Sequence, residues 1–320
     1  MAKKISPHAA NTGISLEMDN KHDNTNGTQY IIQLTHKSRF KHNLRKLRHA
    51  LLQDPVGTFG FLILLSIILM STLGSIWFPL DEISNPDLIL DSPSAEHFLG
   101  TDHLGRDIWA QVVSGGRELL VLAFLTASIA VLLGIFLGSF SALIGGKLDE
   151  ILLFLADVWL TIPRFPLLVV LSGFFRLSSV VLAIILAILS WAGVYRTIRA
   201  EVLSLKNRDF VEAAFMLDMP LVYIIFYEIM PNIMGFIAAN FTLLMRAAIY
   251  SQVGLVFLGL LPLDQNWGVM INIAWNQGVI YNPDSIWFLL APTIAICLLI
   301  LSLVWISRSL EEIFNPGLQK

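Results

Sequence analysis

An all-α integral membrane protein with about six transmembrane helices is the fold class this sequence predicts, and three observations predict it. Apolar residues fill 55% of 320 positions and charged residues only 14%, against about one half and about one quarter in soluble domains. Uncharged apolar runs long enough to cross about 30 Å of hydrocarbon begin near Phe59, Leu119, Ile151, Leu177, Ile233 and Ile286. Lys and Arg gather in alternate loops between those runs, so a net charge of -3 hides a segregated distribution.

The chain opens with a polar tail, residues 1–36, rich in Asn, Thr, His and Lys and poor in aromatics. Such a segment buries too little apolar surface to offset its ordering entropy and is expected to be a disordered cytoplasmic tail. It holds no early apolar core of a cleavable signal peptide, which leaves insertion to the first span. Over residues 37–54, Phe40, Leu44, Leu47 and Leu51 recur at helical spacing among Lys37, Arg39, Lys41, Arg45, Lys46 and Arg48. That pattern predicts a basic amphipathic helix lying beside anionic lipid. Asp54-Pro55 ends it and turns the chain into a membrane domain assigned to residues 55–316, with a short tail at 317–320. Charge or proline interrupts the third and fifth runs, and the fourth is short between Arg176 and Arg196. The single cysteine, Cys297, lies in the last apolar run, where no internal disulfide can form and packing is its expected role.

An even number of spans puts both termini on one side. Basic residues precede the first run, and Arg196, Arg199, Lys206 and Arg208 follow the fourth, whereas the opposite loops hold only Arg106, Arg117 and Arg176. The tendency of cytoplasmic loops to carry Lys and Arg therefore predicts a multi-pass protein of the cell membrane with both termini cytoplasmic.

The loop after the fourth run is the most informative stretch. Asp209 near the start of a short helix to about Leu217 complements the helix dipole, Pro220 prevents its simple continuation, and a second helix from about Leu221 leads to Pro231, Asn232 and the fifth run. Ala213 and Ala214 offer a small-side-chain face for close approach of another protein, with Glu212 beside them; the alternative is an ordinary interfacial helix with Glu212 solvated. Asp157, Arg164 and Arg246 fall inside predicted spans, where a charge costs about 2.5–3.5 kcal/mol on insertion scales, so each faces protein or water. Arg164 and Arg246 lie at similar depth, about 20 Å from their cytoplasmic ends. Asp157 stands two turns before Arg164 on the same face, with Pro163 kinking the helix between them. A polar translocation path and a structural ion pair or snorkelling both fit.

In the loop before the second run, Thr101 or Asp102 is expected to cap a short amphipathic helix with Ile108 and Val112 facing lipid, while Gly100 and Gly105 permit tight turns. Its roles are to seat the second span or to meet a delivered solute. His97 and His103 have no further ligand cluster around them and make a poor metal site. Gly145-Gly146-Lys147 lacks the rest of a phosphate-loop pattern, so this chain is not expected to bind ATP itself.

From about Leu52 to Pro316 the sequence resembles the inner-membrane permease subunits of binding-protein-dependent ABC importers, and among them the C-type subunit of dipeptide, oligopeptide and nickel systems. Three blocks carry the resemblance: His97 to Asp107; Arg199 to Lys206 leading to Asp209-Phe210-Val211-Glu212-Ala213-Ala214 and Ile229-Met230-Pro231-Asn232; and Phe257-Leu258-Gly259-Leu260 followed by Asn266-Trp267-Gly268. The resemblance implies a type I ABC importer permease fold with a coupling loop at about 200–232, comprising Asp209, Glu212, Ala213, Ala214, Asp218, Glu228, Pro231 and Asn232. In that family this loop sits in a groove on an ATPase subunit, whose closure switches the pathway from outward to inward facing. It further implies an extracytoplasmic mouth at Thr101, Asp102, Gly105, Arg106 and Asp107; with the charges inside the spans, the candidates for the path are Asp157, which matches a family position, Arg164, which does not, Arg246 and Gln252.

The implied partners are a second, B-type permease subunit, two ABC ATPase subunits, an extracytoplasmic solute-binding protein and the lipid bilayer, with no nucleic acid. ATP and Mg are expected on the ATPases and no catalytic group, cofactor or metal on this chain. Short peptides are the implied solute, with oligosaccharides and nickel chelates as alternatives within the same machinery. The sequence departs from the family at Asp218, usually glycine; at Glu228, often histidine; at Met230, usually leucine; and at Gln252, commonly glutamate. An ATPase-independent secondary transporter or a membrane scaffold are the readings from other classes. Neither the matched broken helices nor the ion relay of a secondary transporter is visible, and a scaffold leaves the three blocks without a reason.

Overall fold

A computed structural model describes residues 54–80, 83–175, 177–261 and 266–314. The tail expected at 1–36, the interfacial helix expected at 37–54 except Asp54, Arg176 and the tail at 317–320 lie outside these. The described residues are helical, and their only β pairing is an isolated antiparallel bridge between Thr101 and Asp107.

Helix α1 (Pro55–Leu69) begins on a built cap. The Asp54 carboxylate accepts from the amides of Val56 at 3.0 Å and Gly57 at 3.1 Å, and Pro55 takes the first helical position, where no N–H is needed. A π-helical stretch, Met70–Gly74, extends α1 to Trp77. There follow α2 (Ile108–Ile144), α3 (Gly146–Leu160), α4 (Arg164–Phe174), α5 (Ser179–Lys206), α6 (Asp209–Met216), α7 (Leu221–Phe257), α8 (Trp267–Asn276) and α9 (Trp287–Phe314). Among the described residues five helices, α1, α2, α5, α7 and the α9 region, are long and apolar enough to cross a membrane. The pair α3 and α4, bent by 74° at a short break, is long and apolar enough only when the two are taken together, which gives five spans or up to six.

The largest interface joins α2 to α5, and small residues make it. Ala123, Ala127 and Ala130 of α2 and Ala183 and Ala187 of α5 are fully buried. A Cβ on Gly134 would lie 2.4 Å from Val194, and one on Gly138 would lie 2.9 Å from the Tyr195 carbonyl. Helices in lipid associate by such close approach, because lipid tails are as apolar as leucine and give no hydrophobic drive. α1 docks on α9 in the same way: a Cβ on Gly57 would lie 2.3 Å from Ser309 Oγ, and one on Gly60 would lie 2.8 Å from Trp305.

Several elements differ from the sequence expectation for identifiable reasons. The second span starts at Ile108 rather than near Leu119, capped by Asp107, whose carboxylate accepts from the Ala110 amide at 2.8 Å. Neither Thr101 nor Asp102 is the cap, and Ile108 and Val112, expected to face lipid, are buried because the separate short helix is the first turns of α2. The fourth span does not stop at Arg196. It continues to Lys206 because Arg196 and Arg199 are matched by Asp157 and Asp149 on α3. Pro163 breaks its span instead of kinking it: it stands outside α4 as an extended residue with ψ 105°, and α4 leaves in a new direction. The helix expected from about Leu221 toward Pro231 runs on through Pro231 without a break into the fifth span. A π-helical stretch, Ile224–Ile229, precedes the proline, and Asn232 Nδ2 donates to the Glu228 carbonyl at 2.6 Å, occupying an acceptor near it. Cys297, expected to pack, is exposed on α9.

Candidate functional site

The end of the molecule that carries Glu212 is built on a stiff base. Lys206, at the end of α5, donates to the Ala142 and Leu143 carbonyls at 3.0 and 2.9 Å, closing the C-terminus of α2 where the helix dipole favours a cation. Arg199 grips Asp149 with two bonds of 2.6 Å, tying α3 to α5. Neither Asp149 nor Lys206 stood out in the sequence as a contact residue, since each partner is remote in the chain.

On this base lies α6. Val211 and Ala214 pack into the core, while Glu212 and Ala213 face outward. The small face expected of both alanines is therefore Ala213 alone; Ala214 anchors the helix, because residues three apart share a face and Val211 is already buried. The turn after α6 carries Asp218 at φ 52°, the left-handed region, with Met219 N donating to the Ala214 carbonyl at 3.1 Å. Glu228 is half-buried and Asn232 exposed in the first part of α7. Around α6 the surface is apolar: Phe210, Phe215, Phe226 and Tyr227 are exposed, as are Met216 at 83% and Leu217 at 69%. An exposed carboxylate set among large apolar side chains is the composition of a docking surface.

Beside this platform a cleft of about 790 Å³ opens between α5, α7 and α9. Arg246 lines it together with Glu201, Arg208, Asn240, Ser307 and Glu311. The other expected path residues are elsewhere. Arg164 is exposed at the start of α4, against α5 near Gly193, and does not line the cleft. Asp157 pairs with Arg196 at 3.1 Å, not with Arg164, because the break at Pro163 swings α4 away; of the two readings of Asp157, the ion pair is the one formed. Gln252 is fully buried, with neither amide atom hydrogen-bonded, so it lies within the packed helices and not on the cleft wall.

At the other end of α2 the loop before Asp107 is an ordered knot. Asp102, fully buried, accepts through Oδ1 from the amides of Leu104 at 2.8 Å and Arg106 at 2.9 Å. Its Oδ2 accepts from Arg106 Nε at 2.8 Å, Arg106 Nη2 at 2.7 Å and Gln111 Nε2 at 3.0 Å. Thr101 accepts from the Asp91 amide at 2.9 Å and donates to the Leu88 carbonyl. Gly105 has φ 75°, and a Cβ there would fall 2.0 Å from the Asn85 carbonyl oxygen. His97 meets Asp107 at 2.8 Å. His103 stacks on Phe288 of α9 at 6.0 Å, and burial lowers its pKa below the usual histidine value, with Asp102 opposing and Arg106 assisting.

The Asn266-Trp267-Gly268 block acts at the same end. Trp267 is fully buried and donates to the Val112 carbonyl at 2.8 Å, in a notch that Gly115 and Gly116 leave open in α2. Asn266 caps α8 through the Val269 amide at 3.1 Å and donates to Glu118 Oε2 at 3.0 Å, and Ser179 of α5 donates to Glu118 Oε1. Glu118 thus joins α2, α5 and α8. Sequence reasoning passed over it, because its partners are remote in the chain and a glutamate inside an apolar run has no local mark of pairing.

Residues 130–320 match the family described as binding-protein-dependent transport system inner membrane component. The chain is 30% identical over 269 residues to the oligopeptide transport system permease protein OppC of Haemophilus influenzae, across 82% of this chain and 85% of that protein. It is also 30% identical over 271 residues to OppC of Bacillus subtilis, across 83% and 87% of the two chains. With a Brucella suis protein named as a peptide permease, identity is 31% over 268 residues, across 83% and 88%. Matched over most of its membrane domain by the family and over most of its length by these relatives, the chain belongs to the inner membrane components of binding-protein-dependent transport systems.

Proposed function

We propose that this chain is the C-type permease subunit of an ATP-driven importer of short peptides. It forms half of the translocation pathway and passes ATPase closure into it through α6. The observation that carries the proposal is the outward face of α6, with Glu212, Ala213 and surrounding apolar side chains on a helix anchored by Val211 and Ala214. A rigid platform of this kind receives a partner and transmits its displacement. Because α6 is joined directly to α5 and α7, and both line the cleft, movement of α6 moves the walls of the pathway. The relatives' names favour peptides over the oligosaccharides or nickel chelates that similar machinery carries.

In this reading α6 and both termini are cytoplasmic. Two ABC ATPases dock at the Glu212 end and bind ATP and Mg, a B-type permease completes the pathway, and a solute-binding protein docks at the end that holds Asp102 and Trp267. The chain itself makes and breaks no covalent bond.

Affinity purification of the tagged chain in mild detergent, with wild type set against Glu212→Arg, tests this. Recovery of a second permease with ATPases, and loss of the ATPases alone in the variant, is the expected result. A lone, stable chain with no ATPase in either preparation would favour a secondary transporter or scaffold.

A further inference from the structure

Resting on the peptide-importer reading, we infer that Arg246 is an anion-recognising residue of the pathway, one that offsets the charge of a solute carboxylate as it crosses the apolar part of the membrane. Asn232, Phe236, Ala239, Leu243 and Arg246 follow one another three or four residues apart along α7, and all line the cleft, so they form one stripe. Arg246 is the only ionisable group in it. At about 1.5 Å per residue it stands about 21 Å beyond Asn232 and about 16 Å short of Phe257 at the end of α7, which puts it near the middle of a bilayer core of about 30 Å.

Pairing divides the arginines of the helices: among the described residues Arg117, Arg164 and Arg246 have no carboxylate within 4.0 Å, and of these three only Arg246 lines the cleft. Arg196, Arg199 and Arg308 each meet a carboxylate within 4.0 Å. Arg246 is half-buried, and among the described residues no carboxylate lies that close; its one hydrogen bond is a long one, 3.4 Å, from Nε to the Thr242 carbonyl of its own helix. A guanidinium at this depth carries a large desolvation cost, which pairing relieves. Its remaining N–H groups have the planar fork that matches a carboxylate. Glu201 and Glu311 also line the cleft, toward the ends of α5 and α9 that face α6. An extended peptide of about six residues, at about 3.3–3.6 Å each, reaches from Arg246 to that end, where the two glutamates match its ammonium group. The ligand class is therefore a zwitterionic or anionic peptide with a free carboxylate.

The test uses the complete transporter in proteoliposomes with its binding protein. The probes are hexa-alanine as the free acid and hexa-alanine as the C-terminal amide, and the reading is the ratio of their ATP-driven uptake. Arg246→Gln is expected to cut uptake of the acid about tenfold and of the amide less than twofold, since loss of a charge-assisted contact acts only on the charged end. Arg246→Lys is expected to restore most of the acid uptake, which a packing role would not require, and both variants should still co-purify with the ATPases. An unchanged acid-to-amide ratio in Arg246→Gln, whether uptake of both falls or neither does, overturns the proposal alone. A wild-type complex that imports neither peptide overturns the peptide reading and this inference with it.

Discussion

Changing Asp102 to Asn keeps the shape of the side chain and removes its charge from a fully buried position. The structure sets the size of the effect. Arg106, with its side chain only 10% exposed, loses its anionic partner, Gln111 loses a strong acceptor, and the amides of Leu104 and Arg106 meet a weaker one. Breaking a buried pair from one side costs about 3–5 kcal/mol. At about 1.4 kcal/mol per tenfold, local opening of the loop should become at least about a hundredfold more frequent. Hydrogen exchange measured by mass spectrometry on peptides spanning residues 84–107 reads this directly, because Asp102 itself protects the Leu104 and Arg106 amides. Adding Arg106→Met should recover part of the protection, since an apolar pair of similar volume often replaces a buried ion pair at little cost. Exchange in Asp102→Asn within about threefold of wild type would refute this reasoning, and so would a double variant less protected than the single one.

Gly116→Ala places a Cβ 2.3 Å from Ser71 Oγ and 2.6 Å from the Trp267 ring. It should destabilise the protein by about 1–3 kcal/mol, seen as a lower melting temperature in detergent. At Asp218, φ 52° makes glycine the better residue and valine the worse. Asp218→Gly should raise thermal stability slightly, and Asp218→Val should lower it by about 1–2 kcal/mol, in the same assay. His103, whose pKa is held below 6.5 by burial, binds fewer protons folded than unfolded. Its stabilising contribution is complete above about pH 6.5 and is lost as pH falls through the lowered folded value. Protection of the 84–107 loop, taken relative to the intrinsic exchange rate at each pH, should therefore fall in wild type between about pH 7.5 and about pH 5.5, and His103→Phe, which keeps the stack on Phe288, should weaken that dependence.

What the sequence disclosed was local. Asp54-Pro55 marked the start of α1, and acid-first Asp209 with Pro220 behind it bounded α6 to within a residue, because caps and prolines act on their own neighbours. The positive φ at Asp218 was foreshadowed only by the resemblance, since relatives usually carry glycine at that turn. Failures came where a distant partner rewrote the local rule. Arg196 read as the end of a span until Asp157 neutralised it, and Ile108 and Val112 read as lipid-facing until the rest of α2 was in place. The candidate path was half legible. Hydropathy marked Asp157, Arg164 and Arg246 as residues out of place in apolar runs, and the resemblance marked Gln252, but only the packing showed that Asp157 has an ion partner, that Gln252 is enclosed, and that of the four Arg246 alone reaches the cleft. Glu118 stayed hidden, since its partners at Ser179 and Asn266 are remote in the chain.

The most direct test of the central claim is uptake of a labelled tripeptide into proteoliposomes that contain this chain and its co-purifying subunits, with the energy source varied. Accumulation that needs both ATP and the solute-binding protein, and that Glu212→Arg abolishes, is the predicted result. Accumulation driven by an ion gradient without ATP, and indifferent to Glu212, would contradict it.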